Sequence, residues 1–177
     1  MLDGWHEFYG LLGTAAAALV ALLFVAVSIG AAVLTPERAG ATRTFLSPVV
    51  FHYTAVLFLS LIVLIPTQTP MSLGLCIGVV AGAGFIYSLV ILVRVTRDAM
   101  ADVPDWFGYG ASPLAAYAAA LGAAWLLAAQ SPASPIVLAG ALLVLLVTNI
   151  RNAWDLTLAL ARRLAEARVK SAGDELT

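Results

Sequence analysis

Five long apolar stretches, separated by short polar segments, dominate the pattern of hydrophobic and polar positions along this chain. Each stretch has about the 20 residues that an α-helix needs to cross the hydrocarbon core of a bilayer. We therefore predict an all-α fold, an integral membrane helical bundle with five transmembrane helices. The predicted spans are 8–34, 44–65, 71–93, 112–129 and 135–155. They form one domain, 1–160, and a basic helical extension and tail follows at 156–177.

Prolines and polar caps mark several of the predicted helix ends. In the segment 35–38, Thr precedes Pro, which is typical of an N-cap followed by the first helical residue. This pattern predicts a short cytosolic helix before the second span. Pro48 predicts either a kink in that span or its true start. The segment 66–70 predicts a tight, uncharged turn. Ser112 and Pro113 form a second cap-and-proline pair that opens the fourth span.

The basic residues fix the expected orientation. All nine Lys and Arg residues lie between spans one and two, between spans three and four, or at and beyond the end of span five. Basic residues of short loops stay cytoplasmic, so we expect the N-terminus outside and the C-terminus in the cytosol. These residues are Arg38, Arg43, Arg94, Arg97, Arg151, Arg162, Arg163, Arg168 and Lys170.

Composition leaves little room for anything outside the membrane. Apolar residues make up 62% of the chain and charged residues 11%, against about 45–50% and about 25% in soluble domains. We expect a multi-pass protein of the bacterial inner membrane, surrounded by lipid. No basic patch with interleaved aromatic residues indicates a nucleic-acid partner. The single cysteine, Cys76, predicts neither an intramolecular disulfide nor a metal site.

Gly74, Gly78 and Gly82 form two overlapping GxxxG motifs in the third span. Glycines four residues apart make a flat helix face on which a second backbone can pack closely in a bilayer. One interpretation is a subunit interface, and hence a homo-oligomer. The other is helix packing inside one five-helix bundle, and the motif does not decide between them.

His52 is the most informative single residue. It lies eight positions after Thr44, about 12 Å inside the predicted cytosolic boundary. An ionisable side chain at that depth is costly and indicates a functional site, and imidazole, with an ordinary pKa of about 6.5, suits proton sensing or transfer. The alternative is a neutral histidine that joins two helices by a hydrogen bond. Tyr87, Tyr117 and Asn149 fall at comparable depths and predict a polar layer in the inner leaflet.

A second polar cluster ends the fifth span. Arg151 and Asp155 lie four residues apart and can pair along the helix, while Asn152 and Asp155 share a face with Thr148. A charge slightly inside the membrane boundary needs a partner or must reach the headgroups. One interpretation is functional: the cluster gates a pore mouth or contacts a lipid phosphate. The other is structural: it anchors the end of the helix at the membrane boundary.

Beyond this cluster the chain is basic. Arg162, Arg163, Arg168 and Lys170 follow within 20 residues of Arg151. We expect this helix to lie near anionic lipid, which attracts each basic residue by about 1 kcal/mol.

Catalytic motifs do not occur in the sequence. There is no HExxH, GxSxG or Walker loop and no intramembrane aspartate pair. We therefore predict that the protein is not an enzyme and needs no cofactor.

Three segments resemble a known group of proteins. Residues 5–9 (WHEFY), 22–28 (LLFVAVS) and 150–156 (IRNAWDL) are similar to those of an uncharacterised family of small bacterial polytopic membrane proteins. Members sometimes carry the automatic label of modulator of a membrane-bound AAA protease. The resemblance covers most of the chain and implies the family's membrane fold, without assigning a role to any residue.

Two functions from different classes fit these features. The first is a small oligomeric channel or transport-like protein whose gating residues come from the polar layer around His52 and from Arg151 and Asp155. Few charges occur within the spans, so any pore would be narrow or hydrophobically gated. The second is a non-conducting accessory subunit that binds another membrane protein through its glycine face.

Overall fold

The computed structural model describes the backbone of residues 3–30, 36–97 and 106–174. Residues 31–34 of the first predicted span and residues 175–177 of the predicted tail lie outside these ranges. Within them the chain is helical and contains no strand. The long helices are α1 (His6–Gly30), α2 (Pro36–Leu64), α3 (Pro70–Arg97), α4 (Ser112–Ala128) and α5 (Ser134–Asp174). A 3₁₀ turn (Asp3–Trp5) precedes α1, and a π-helical segment (Trp106–Ala111) precedes α4.

The prediction of an all-helical chain with five helices long and apolar enough to span a membrane is confirmed. The fourth apolar segment begins at Phe107 rather than at 112, because the π-helical segment runs directly into α4. After the fifth segment, α5 continues without a break to Asp174. Within the described ranges, the apolar segments are His6–Ile29, Ser47–Leu64, Pro70–Thr96, Phe107–Ala128 and Ser134–Ala159.

The helix ends follow from local chemistry. Pro36 and Pro70 are the first residues of α2 and α3, where a missing N–H is harmless because that donor has no partner inside the helix. At α3, the Thr69 hydroxyl accepts a hydrogen bond from the Ser72 amide at 3.1 Å, and the Thr69 amide donates to the Ser72 hydroxyl at 3.1 Å. This reciprocal pair is the geometry of a capping box. Pro48 lies inside α2, which continues through it.

The helix pairs define the bundle. Packing is most extensive between α3 and α4, between α1 and α2, and between α4 and α5. Helix α2 also contacts α3 and α5, and 56% of its apolar segment is buried, against 22% of that of α1. Helix α2 is therefore the central element and α1 lies at the periphery, where the Tyr9 hydroxyl donates to the Pro135 carbonyl of α5 at 2.8 Å.

Candidate functional site

Polar side chains enter the bundle mainly from one end. We call the end at which Ser47, Arg94 and Arg151 lie the basic end, and the end with the turns at 65–69 and 129–133 the turn end. The buried polar side chains of the described residues are His52, Ser60, Ser88, Ser134, Asn149 and Asn152. All but Ser60 and Ser134 lie in the half of the bundle nearer the basic end. With Tyr117, those four form what we call the polar column: His52, Ser88, Tyr117, Asn149 and Asn152.

His52 of α2 and Tyr117 of α4 form the deepest part of the polar column. The His52 Nδ1 atom lies 2.9 Å from the Tyr117 hydroxyl, and their exposed fractions are 1% and 0%. Gly84 of α3 makes room for this pair, because a Cβ atom there would overlap the Tyr117 ring. Sequence reasoning missed this role of Gly84, since its spacing does not belong to the GxxxG motifs.

Hydrogen-bond counting assigns the proton on the His52 ring. Among the described residues, Nδ1 of His52 is the partner of the Tyr117 hydroxyl, and a buried hydroxyl needs an acceptor for its single hydrogen. We infer that Tyr117 donates to Nδ1, and in that tautomer the neutral imidazole carries its own proton on Nε2. That Nε2 atom has no partner among the described residues. His52 thus presents a buried, unpaired N–H donor.

Tyr87 of α3 connects this pair to the surface. Its ring lies 4.4 Å from that of Phe51 and 6.0 Å from that of His52, between centroids. Its hydroxyl lies 3.2 Å from the hydroxyl of Ser47, which is exposed at the basic end. The structure therefore brings the predicted residues His52, Tyr87 and Tyr117 together.

Asn149 of α5 lies nearer the basic end than His52. Its Nδ2 atom donates to the Leu145 carbonyl at 3.0 Å, whereas its Oδ1 atom is buried without a partner among the described residues. The adjacent Thr148 shares a 2.8 Å hydrogen bond with Ser112 of α4. Asn149 therefore offers an unpaired acceptor at the level where α4 begins.

Asn152 holds the π-helical segment against α5. Its Nδ2 atom donates to the Gly108 carbonyl at 2.9 Å, and the Tyr109 hydroxyl donates to the Asn152 carbonyl at 3.3 Å. A Cβ atom at Gly108 would lie 2.8 Å from Asn152 Oδ1, so this close approach requires glycine. Sequence reasoning placed Asn152 in a polar cluster but missed the π-helical segment, for which Gly108 and Gly110 were the available signal.

Arg151 and Asp155 do not join the polar column. The Arg151 Nε and Asp155 Oδ2 atoms lie 4.0 Å apart, and the two side chains are 51% and 54% exposed. An exposed pair of this kind contributes about 0–1 kcal/mol. Both side chains are half exposed on the outside of α5, and the Arg151 guanidinium reaches Gly108 of the π-helical segment.

The glycine motif lies largely inside the bundle. A Cβ atom at Gly74 would be 3.0 Å from the Ala124 carbonyl oxygen of α4, and one at Gly78 would be 3.9 Å from the Ala124 Cβ. A Cβ atom at Gly82 would meet no described atom within 4 Å. Gly74 and Gly78 therefore serve the contact between α3 and α4 within one chain, and Gly82 lies open.

Between His52 and the turn end, most of the buried side chains are apolar, with Ser60 and Ser134 as buried polar exceptions. Leu59, Ile77, Ala120 and Leu142 are at most 1% exposed and come from four different helices. A cavity of about 10 Å³ near the turn end is lined mainly by apolar side chains, together with Ser134. The polar column thus stops at His52 and Tyr117, and close-packed aliphatic residues separate it from the turn end.

The described residues contain no cluster of three or more His, Cys, Asp or Glu side chains that could hold a metal ion. Comparison with models of known families, with curated proteins and with solved structures finds no match to this chain. The family resemblance of segments 5–9, 22–28 and 150–156 stays a prediction.

Proposed function

We propose that the chain is a multi-pass protein of the bacterial inner membrane, with its N-terminus outside and the basic end in the cytosol. Large apolar side chains on the outside of the bundle support insertion, since water would be a poor solvent for them. Leu22, Val79, Trp125 and Val147 are between 63% and 71% exposed. The exposed aromatic residues Phe107 and Trp154, at the basic end, suit the headgroup layer.

Within that setting, we propose a transport-like function that uses the interior of each chain. The polar column carries this proposal: buried hydrogen-bonding groups of α2, α3, α4 and α5 reach from the basic end to His52. Buried polar side chains in a membrane helix bundle are costly and commonly mark a substrate or ion pathway. The aliphatic packing beyond His52 seals the path, so passage requires the helices to move, as in a hydrophobically gated pathway.

This arrangement changes the expected role of the candidate residues. His52 and Asn149 face the interior of one chain rather than an axis between subunits, so the proposed path does not require a ring of protomers. Assembly as a homo-oligomer stays a proposal, for which Gly82 is the open member of the glycine triplet. The accessory-subunit alternative needs a glycine groove facing lipid, and Gly74 and Gly78 are already packed on α4.

Flux into proteoliposomes tests the proposal. Vesicles holding a pH-sensitive dye would report proton flux, and light scattering after osmotic shock would report water and small neutral solutes. We expect the protein to accelerate at least one of these fluxes, and Asn149→Leu to remove most of the increase. Asp155→Asn, which changes an exposed residue of the same helix, is the matched control and should retain it. Fluxes equal to those of protein-free vesicles would contradict a transport-like function.

A further inference from the structure

Three buried polar atoms of the polar column lack partners among the described residues. They are the Nε2 atom of His52, the Oγ atom of Ser88 and the Oδ1 atom of Asn149. Each of these side chains is at most 1% exposed, and they belong to three different helices. Buried polar groups are almost always hydrogen-bonded to protein or to ordered water. Three such atoms in one half of the bundle therefore indicate a bound hydrogen-bonding ligand.

Contacts between helices place these atoms along one route. Ser112 pairs with Thr148, which places the neighbouring Asn149 level with the start of α4. Tyr117 lies five residues further along α4, a rise of about 7.5 Å, and it pairs with His52. Ser88 lies four residues after Gly84, on the face of α3 that packs against Tyr117. This rise along α4 corresponds to about two hydrogen-bonded molecules between the two levels, at about 2.8 Å between oxygens.

The chemistry of these atoms selects the ligand. His52 offers an N–H donor, Asn149 an acceptor and Ser88 a hydroxyl that can do either. An anion would need a positive partner, and Arg151 is on the outer surface. A metal ion would need more ligands than one imidazole and one amide oxygen. Water both donates and accepts and makes about three hydrogen bonds when buried.

We propose that a short file of water molecules occupies the polar column, entering at the basic end and ending on the Nε2–H of His52. If the chain is transport-like, an inference that rests on the function proposed above, this water makes protons the permeant. A proton moves along hydrogen-bonded water and hydroxyl groups without needing a wide pore.

Solid-state NMR tests the water file. The chain has two histidines, so His6→Gln leaves His52 as a single reporter that can be labelled with ¹⁵N. In proteoliposomes at neutral pH, we expect the proton on Nε2, with Nδ1 accepting from Tyr117. We also expect magnetisation to pass from water to Nε2 severalfold faster than to the methyl groups of Leu142, which is equally buried.

Two matched variants locate the water. Ser88→Ala removes one proposed binding atom and should slow transfer to Nε2 severalfold. Ser60→Ala removes a hydroxyl that is equally buried and unpaired but lies toward the turn end, and it should leave transfer unchanged. Both are small deletions, and a thermal melt would confirm that each variant is folded.

The outcomes separate the two proposals. Transfer to Nε2 as slow as to the Leu142 methyl groups would overturn the water file. If Ser88→Ala and Ser60→Ala slowed the transfer to Nε2 equally, the proposed position of the water file in the polar column would be overturned. A hydrated His52 in a protein that carries no flux would leave the water file standing and contradict the transport function alone.

Discussion

His52 and Tyr117 show how one hydrogen bond can position a buried histidine. The hydroxyl of Tyr117 fixes the Nδ1 side of the ring at 2.9 Å, and the absence of a side chain at Gly84 lets the Tyr117 ring approach α3. The other side of the imidazole is then left to face the polar column as a donor. A residue that joins two helices therefore also presents a free N–H, so the structural and functional interpretations of His52 are compatible.

Replacing Tyr117 by Phe should destabilise the bundle. The change leaves His52 Nδ1 without its partner, and a buried group left unsatisfied costs about 1–3 kcal/mol. Thermal unfolding in nanodiscs would measure the loss. Tyr87→Phe is the control, because the hydrogen-bond partner of the Tyr87 hydroxyl among the described residues is the exposed Ser47, and its loss should cost much less. Equal stabilities of the two variants would show that the Tyr117 hydroxyl does not hold His52.

Two glycines of α3 should respond differently to the same substitution. Gly84→Ala would force a methyl group into the Tyr117 ring, and overpacking of this kind costs about 1–3 kcal/mol. Gly82→Ala meets no described atom within 4 Å and should leave stability unchanged or slightly increased, since alanine favours helix. The melting temperatures of the two variants would measure this difference. A Gly84→Ala protein as stable as wild type would argue against the close approach of the Tyr117 ring to Gly84.

At the scale of elements, the π-helical segment is the least regular part of the described bundle. Within it, the Gly108 carbonyl accepts a hydrogen bond from the Nδ2 atom of Asn152 of α5. π-Helical turns occur frequently at functional sites. Here the segment lies where the polar column meets the basic end.

Removing the Asn152 side chain should loosen this segment. Asn152→Ala deletes the donor to Gly108, so amides of residues 108–112 should exchange with deuterium severalfold faster. Asp155→Ala, at an exposed position of the same helix, should change stability by less than about 0.5 kcal/mol and leave that exchange unaltered. Unchanged exchange in Asn152→Ala would mean that the π-helical segment does not depend on Asn152.

The helices themselves could be predicted because their signals are local. Apolar length predicts the long apolar helices, and Pro36 begins α2 where its chemistry favours it. Ser112 does not act as the predicted cap, because Ala111 before it is already helical and the Ser112 hydroxyl pairs with Thr148 instead. The partners of individual side chains could not be predicted, since they depend on which helices are neighbours. The sequence placed His52, Tyr87 and Tyr117 at similar depths, but it also grouped Asn152 with Arg151 and Asp155, whereas the structure buries Asn152 and leaves the other two half exposed.

For the whole molecule, the distribution of polar groups is asymmetric. The half nearer the basic end contains His52, Ser88, Asn149 and Asn152, whereas the other half is filled mainly by aliphatic side chains. In the proposed transport-like function, hydrogen-bonding groups that stop midway would favour entry from the basic end only. Such an interior suits a protein that opens to its two sides alternately.

Assembly can be tested separately from folding. Gly82→Leu places a large side chain on an open face of α3, whereas Gly74→Leu places it against the Ala124 carbonyl. If copies associate through this face, native mass spectrometry should show a smaller oligomer for Gly82→Leu with an unchanged melting temperature. Gly74→Leu should instead lower the melting temperature, because small residues allow close helix packing in membranes. An unchanged oligomer in Gly82→Leu would exclude this face as a subunit contact.

Accessibility of two buried positions tests the one-sided interior most directly. In a Cys76→Ser background, Ser88→Cys and Ser60→Cys each place one thiol at a position with 0% exposure. Silver ions, which are close to water in size, would be added to vesicles of known orientation, and later maleimide labelling would count the unreacted thiols. We predict that the thiol at position 88 reacts from the cytosolic side only and that the thiol at position 60 reacts from neither side. A protected thiol at 88, or a reactive one at 60, would contradict a polar interior that opens to the basic end and closes at His52.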